Sequence, residues 1–519
     1  MARTPLYAAL RRALVRAALA NRDGLTTRVA PPALGPSRRA LLGGVLAGAA
    51  LAPLAAACRP ARRRDQQPVI AIVGGGMAGL LCAYRLKQAG LWATVYEASD
   101  RVGGRMYSLR GHFADGMVCE LGGELIDTEH THMHALAREF DLVLDDLAAD
   151  TAGLAADTFH FGGRVLGATE LATAMRPVAA RMAAAVSAAD GSPGEFARLD
   201  ALSIAAWLER EAQLAPDALI RRVIEVAYTA EFGAEVDQQS SVNLLTMIDY
   251  QQLEPLRMYG DSDERYHTHA GNDALVGALA ERLTDRIALG HVLTALTPAR
   301  AGHGFQLGFE ASGDDVAIPA DHVVLALPFT RLRQLDLAAL ALPPRKQLAI
   351  SELGYGSNSK LMLQFAARPW RTTGRAAGNI FTDVGQLQST IETSRGQAGA
   401  HGLLTNFVGG QRGLASGDGS AEDQARRVVP WIDAVYPGAA AAYVAGRAVR
   451  QHWPSHPFTL GSYSCYRPGQ AGLAGVEGAR VGRLHFCGEH TSVEFQGYME
   501  GAAETGTRVA AEILADLGG

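Results

Sequence analysis

A chain of 519 residues, 48% hydrophobic and 19% charged, has the length for two or three domains and the composition of a globular protein, which excludes disorder as its ground state. The formal net charge of −5 is unevenly spread: residues 1–65 hold twelve arginines against two aspartates, leaving the rest at about −15. A body that acidic excludes nucleic acid as a partner and suits a cleft that draws in cationic small molecules.

In chain order, the first feature is "SRRALLGGVLAGAALAPLAAAC", residues 37–58, in which Arg38 and Arg39 precede 18 uncharged residues and a small run ends at Cys58. This pattern is that of a twin-arginine export signal, cleaved rather than kept as an anchor because three glycines, a proline and alanines interrupt it. It implies passage through the twin-arginine export machinery and an exported location. Cys58 is a candidate for a lipid tether. The five cysteines, at 58, 82, 119, 465 and 487, have no close pairing, so neither a zinc site nor a disulfide framework is indicated.

"VIAIVGGGMAGLLCAYRLKQAG", residues 69–90, then "ATVYE", 93–97, read as strand, helix and strand, a βαβ unit. Gly74, Gly76 and Gly79 fit G-x-G-x-x-G: a tight turn, bare backbone for a pyrophosphate, and close helix packing. The backbone of Met77 and Ala78 opens the helix, whose N-terminus favours the negative charge. Glu97, 18 residues after Gly79, is placed to accept hydrogen bonds from ribose hydroxyls, which argues against a 2′-phosphorylated cofactor. These features alone leave FAD and NAD open.

His130, His132 and His134 in "EHTHMH" read as solvated groups at a helix start rather than as metal ligands. Residues 168–230 carry apolar residues at helical spacing, and strand signals return at "RIALGHVLTAL", "DHVVLALP" and "RLHFCGEH". A long closing helix follows in "GYMEGAAETGTRVAAEILADL". The alternation predicts an α/β, Rossmann-type domain over 68–135, 264–335 and 460–516, interleaved with a mixed α+β substrate domain over 136–263 and 336–459, after an export signal and linker over 1–67. Among 48 basic residues only Lys87, Lys346 and Lys360 are lysine. Lys87 and Lys346 read as surface groups, whereas Lys360 opens the apolar strand "KLMLQF", where an ammonium is costly unless used.

"EASDRVGGRMYS" (97–108), "CELGGELID" (119–127) and above all "GEHTSVEFQGYMEGAAETG" (488–506) resemble the flavin-containing amine oxidase family, and the likeness recurs over about 450 residues, sparsely in the helical region. It implies the monoamine oxidase fold, FAD as cofactor, and an enzyme passing hydride from an amine to the flavin and electrons to molecular oxygen, with a dehydrogenase using another acceptor as the alternative. The imine formed would hydrolyse to a carbonyl compound, with hydrogen peroxide released. By resemblance Arg105, Leu121, Gly122, Gly123, Glu124, Glu489 and Met499 join the glycine turn and Glu97 in holding the flavin, and Val292 uses its backbone toward adenine. Lys360 is the lysine that reaches the flavin, and Tyr463 and Tyr498 face each other across the substrate path. Ser462 stands where monoamine oxidases attach the flavin through cysteine, so noncovalent FAD is expected. Leu125 stands where L-amino-acid oxidases carry a carboxylate-binding arginine, which favours an amine over an amino acid, and Asp127 is a candidate substrate contact.

Overall fold

The structure is a computed structural model that describes residues 67–299 and 304–518; the export segment and Cys58 lie outside them. Among the described residues no helix is long and apolar enough to cross a membrane. Strand β1 (Ile70–Val73) leads through the glycine turn into helix α1 (Met77–Gln88) and then to β2 (Ala93–Tyr96). All four β1 residues are buried, as a strand covered on both faces of a parallel sheet requires. With β3 (Ile287–Ala288), β4 (His322–Leu325) and β5 (Leu484–Phe486) they form a five-stranded parallel sheet in the order β5-β4-β1-β2-β3. A sheet made from strands so far apart in sequence brings the two ends of the described chain together.

The second sheet has seven strands, and all its contacts are antiparallel except that between Ala376–Thr382 and Ala155–Phe161. Its Ser359–Phe365 strand is buried at all seven positions, between strands Gly402–Val408 and Val449–His452. The helical region contains Ala168–Ala189, Pro193–Asp200, Ile204–Arg210 and α2 (Leu219–Phe232). Their apolar stripes close one core around the fully buried Trp207 and Tyr228. Gly233, at φ 68°, ends α2 with a left-handed cap.

The closing helix α3 (Met499–Asp516) lies on α1. Gly506 makes this possible: a Cβ there would stand 2.4 Å from the Ala78 carbonyl oxygen. Both helices follow parallel strands, so both N-termini emerge at the carboxyl edge of the sheet.

Two sequence expectations change. Lys346 is not at the surface: it is fully buried in helix Pro344–Glu352, its Nζ donates to the Glu477 carbonyl at 2.7 Å, and it lies 3.9 Å from the centre of the Phe486 ring. Burial holds its pKa well below the usual lysine value, so the carbonyl and the aromatic face replace water. Nor are the three histidines all solvated. His130 is buried, and His132 Nδ1 meets the buried Glu500 carboxylate at 2.8 Å. Glu500 also accepts from the backbone of His132 and Met133, which stabilises the start of helix Thr131–Glu139.

Gly506→Ala is expected to force α3 off α1 and lower unfolding free energy by about 1–3 kcal/mol, read from the urea midpoint. An unchanged midpoint would show that the contact can relax.

Candidate active site

At the carboxyl edge of the parallel sheet a cavity of about 300 Å³ runs between the two sheets. Its outer end is made by Gly74, Gly76, Met77 and Ala78 of the glycine turn together with Glu97. Gly74 has φ +111°, and a Cβ on Gly79 would lie 2.0 Å from the Gly74 carbonyl oxygen, so side chains are excluded from this turn on both counts. Glu97 accepts from Gly75 N at 2.6 Å with one oxygen and from Ser99 N and Oγ at 2.9 Å with the other. The acid thus braces the turn as well as lining the cavity.

Two helix ends face this space without protein partners. Neither α1 nor α3 has a side-chain cap, and α1 has no acid in its first turn, so their leading N–H groups are available to an anion. His456, absent from the sequence-based candidates, also lines the cavity, near Arg101 and Glu97, and its Nδ1 is buried with no hydrogen-bond partner. Bare glycine backbone, two uncapped helix N-termini and an orphaned imidazole nitrogen fit a dinucleotide cofactor.

Deeper in, Arg105 crosses from one end of the chain to the other. Its Nη1 donates to Glu489 Oε1 at 2.8 Å and to the Ser462 carbonyl at 2.7 Å. Glu489 in turn accepts from Ser464 N and Oγ and from Gly497 N. Despite full burial, its carboxyl is held below the usual glutamate pKa by Arg105 and these donors. One ion pair therefore fixes the backbone that carries Tyr463, Gly497 and Tyr498.

Lys360 projects from the buried strand to the turn 120–124. Its Nζ donates to Glu124 Oε2 at 2.6 Å, to the Gly122 carbonyl at 2.7 Å and to the Glu120 carbonyl at 3.1 Å, and Glu124 Oε1 accepts from Thr393 Oγ1. All three ammonium donors are thus used. Lysine and glutamate are each about 5% exposed, so neither charge is tolerable without the other. Glu120, buried beside them, has its carboxyl pushed up to about 8 by desolvation.

The far end is aromatic and acidic. Tyr463 donates its hydroxyl to the Glu231 carbonyl, and its ring lies against Gly497, where a Cβ would be 3.5 Å from Cδ2. Tyr498 opens α3 and contacts the His130 ring edge at 5.3 Å. Glu231, in the last turn of α2, and Glu264, at φ +45°, both line the wall here. Burial, with Asp127 as a like charge beside it, lifts Glu231 to about 7. Burial, then Glu231 and Asp127, lifts Glu264 to about 8. Sequence reasoning missed both acids: Glu231 lay at the end of a stretch read for helical pattern, with nothing to show which way it faced, and Glu264 lay just where the second flavin-domain stretch begins, in a segment read only for its resemblance.

Of the residues expected from sequence, Gly74, Gly76, Met77, Ala78, Glu97, Arg105, Gly122, Gly123, Glu124, Lys360, Tyr463, Glu489, Tyr498 and Met499 all border this one cavity. Gly79 packs behind the turn; Leu121 is buried, with its carbonyl accepting from Trp453 Nε1; and Val292 is paired opposite Glu310. None of these three is in the lining, and neither is Asp127. The Asp127 carboxylate accepts from Glu264 N at 2.8 Å and lies 3.3 Å from His130 Nε2. It faces the backbone of Glu264 and the buried histidine, not the cavity.

A Rossmann-type parallel sheet joined to a mostly antiparallel sheet over such a cavity defines a flavin-dependent amine oxidase fold. The profile of the family described as flavin containing amine oxidoreductase matches residues 77–514. The chain belongs to that family. It is 26% identical over 462 residues to (S)-6-hydroxynicotine oxidase of Paenarthrobacter nicotinovorans, covering 84% of this chain and 96% of that protein. It is 23% identical over 468 residues to an L-amino-acid oxidase of Siganus canaliculatus, covering 86% and 85%. Putrescine oxidase bound to putrescine superposes with a TM-score of 0.73 at 21% identity, over 86% of this chain and 99% of that one. The protein is accordingly a flavin-dependent amine oxidoreductase.

Lys360→Met is expected to leave Glu124 buried without its cation and to cost about 3–5 kcal/mol of unfolding free energy, whereas adding Glu124→Gln recovers much of the loss. A double variant no more stable than Lys360→Met would disprove their coupling.

Proposed function

We propose that the protein oxidises an amine lacking a carboxylate, with FAD held noncovalently, and releases an imine and hydrogen peroxide. The observation that carries the reading is the wall made by Glu231 and Glu264 beside Tyr463 and Tyr498. Two carboxyls raised to about 7 and 8 are poised to ionise when an ammonium approaches, and they repel a substrate carboxylate. Leu125 offers that end an apolar side chain, and the arginines in the lining, Arg101 and Arg105, are bound to the Gly104 carbonyl and to Glu489.

The chain's own groups then divide the work. The tyrosine rings hold and orient the amine nitrogen by their faces. The uncapped N-terminus of α3 presents positive partial charge to the ring end of the cofactor. Lys360, pinned by Glu124 and two carbonyls, places a positive charge at the same end. When bound, the flavin supplies the hydride acceptor and returns the electrons to oxygen.

Noncovalent attachment is supported by the residue before Tyr463: Ser462 Oγ donates to Asn358 Oδ1 at 2.6 Å, and no described cysteine lines the cavity. Denaturing the yellow protein and passing it through a size-exclusion column is expected to release FAD; colour retained by the chain would refute this. Export rests on residues 38–58 alone.

A peroxide-coupled comparison of amines with their α-amino-acid counterparts tests the substrate class. Amines are expected to turn over, with KM falling between pH 6 and 8 as the two carboxyls ionise. Glu231→Gln is expected to raise KM about tenfold and flatten that pH dependence. Faster oxidation of the amino acids would instead establish an L-amino-acid oxidase.

A further inference from the structure

At the opposite edge of the parallel sheet from the flavin cavity, two histidines and an aspartate converge. His322 opens β4, His485 lies in β5, and Asp516 ends α3; each brings a potential ligand atom to within 4.8 Å of the others. The imidazoles are 1% and 0% exposed and stack with their centres 5.8 Å apart. Neither is satisfied: His322 Nδ1 and His485 Nε2 are buried with no hydrogen-bond partner. Orphaned buried nitrogens cost free energy unless something completes them, and two of them on stacked rings in one cluster with a carboxylate share a single remedy.

The surroundings match. The other nitrogen of His485, Nδ1, is 3.1 Å from Glu512 Oε2, and Nε2 lies 3.9 Å from Asp516 Oδ2. A carboxylate behind a histidine is the usual support for a metal-bound imidazole. Arg483 places a positive charge near His322, opposed by Asp516. Three further groups shape the charge: Arg480 holds both oxygens of Asp516, Arg508 holds Glu512, and Asp321 faces His322. Arg480 competes for Asp516, while the C-terminal end of α3 adds negative partial charge where the ion would sit. Zinc requires its ligand atoms about 3.3–3.5 Å apart, judged from bond lengths near 2.0–2.1 Å, so the trio must close by about an ångström. The Asp516 side chain, 22% exposed in the last helical turn, can supply that movement.

We propose that His322, His485 and Asp516 form a binding site for a divalent metal of the zinc type, with an open fourth position for water, joining β4, β5 and the end of α3. The site shares no residue with the flavin cavity.

Titrating the full, flavin-loaded chain, without an affinity tag, with cobalt(II) and zinc(II) tests this. One equivalent is expected to bind, giving the intense visible bands of tetrahedral cobalt, which zinc then bleaches. Asp516→Asn is expected to weaken binding at least tenfold and Glu512→Gln about 10- to 100-fold, with the flavin spectrum of both unchanged. Wild-type protein that takes up no metal, or binds it no better than Asp516→Asn, would overturn the proposal. Should the variants lose their flavin, anomalous diffraction from zinc-soaked wild-type crystals decides: a peak between His322 and His485 supports the site, and its absence overturns it.

Discussion

Everything in the cofactor cavity depends on two helices whose first turns are left without side-chain caps and must point into the same space. α1 and α3 come from opposite ends of the described chain, and the close approach of Gly506 to Ala78 holds them side by side. Exposed N–H groups at a helix start are a liability in a folded protein unless water or an anion satisfies them. Two such starts at one sheet edge make a site whose N–H groups are complementary to phosphate at one end and to an electron-rich ring at the other. The Arg105–Glu489 pair performs the same joining function with charge, tying the segment after β2 to the segment after β5.

The buried charges show how differently two lysines can be used. Lys360 is satisfied by a carboxylate and two carbonyls beside the cavity, and it faces the groups that would touch the cofactor. Lys346 is buried more completely, yet its partners are one carbonyl and an aromatic face, and the nearby Glu477 carboxyl, lifted to about 7 by burial, bonds the Tyr466 hydroxyl instead. Burial alone therefore does not mark a lysine as functional. What distinguishes Lys360 is a full set of acceptors in the turn that lines the site.

The glycine turn, its βαβ unit and the R-x-G-G-R and G-Y-M-E-G segments were legible because their chemistry is local: the residues that act are adjacent in sequence to the backbone shape that requires them. The discontinuous parallel sheet could be inferred from the order of strand signals. Glu231, Glu264 and His456 were not legible, since their meaning comes from facing one cavity across more than 30 residues of chain, and periodicity does not say which residue at the end of a helix turns inward. Lys346 misled because two prolines before it read as a surface turn, while the helix they begin lies against β5 and buries it. Asp127 misled in a different way: it was placed in the right turn, but a neighbouring positive-φ residue takes its carboxylate through a backbone N–H.

Glu264 shows how the acidic wall is kept in place. A non-glycine residue at φ +45° costs about 1–2 kcal/mol, and persists only where its surroundings hold it. Here the hold is the Asp127 carboxylate, itself anchored near His130, whose ring packs against Phe495 and Tyr498. The chain of contacts runs from a buried acid through a strained backbone to the carboxyl in the lining, and returns through a histidine to the tyrosine that opens α3. Asp127 thus acts on the cavity through Glu264, and the same cluster that raises the carboxyl pKa also sets where that carboxyl stands.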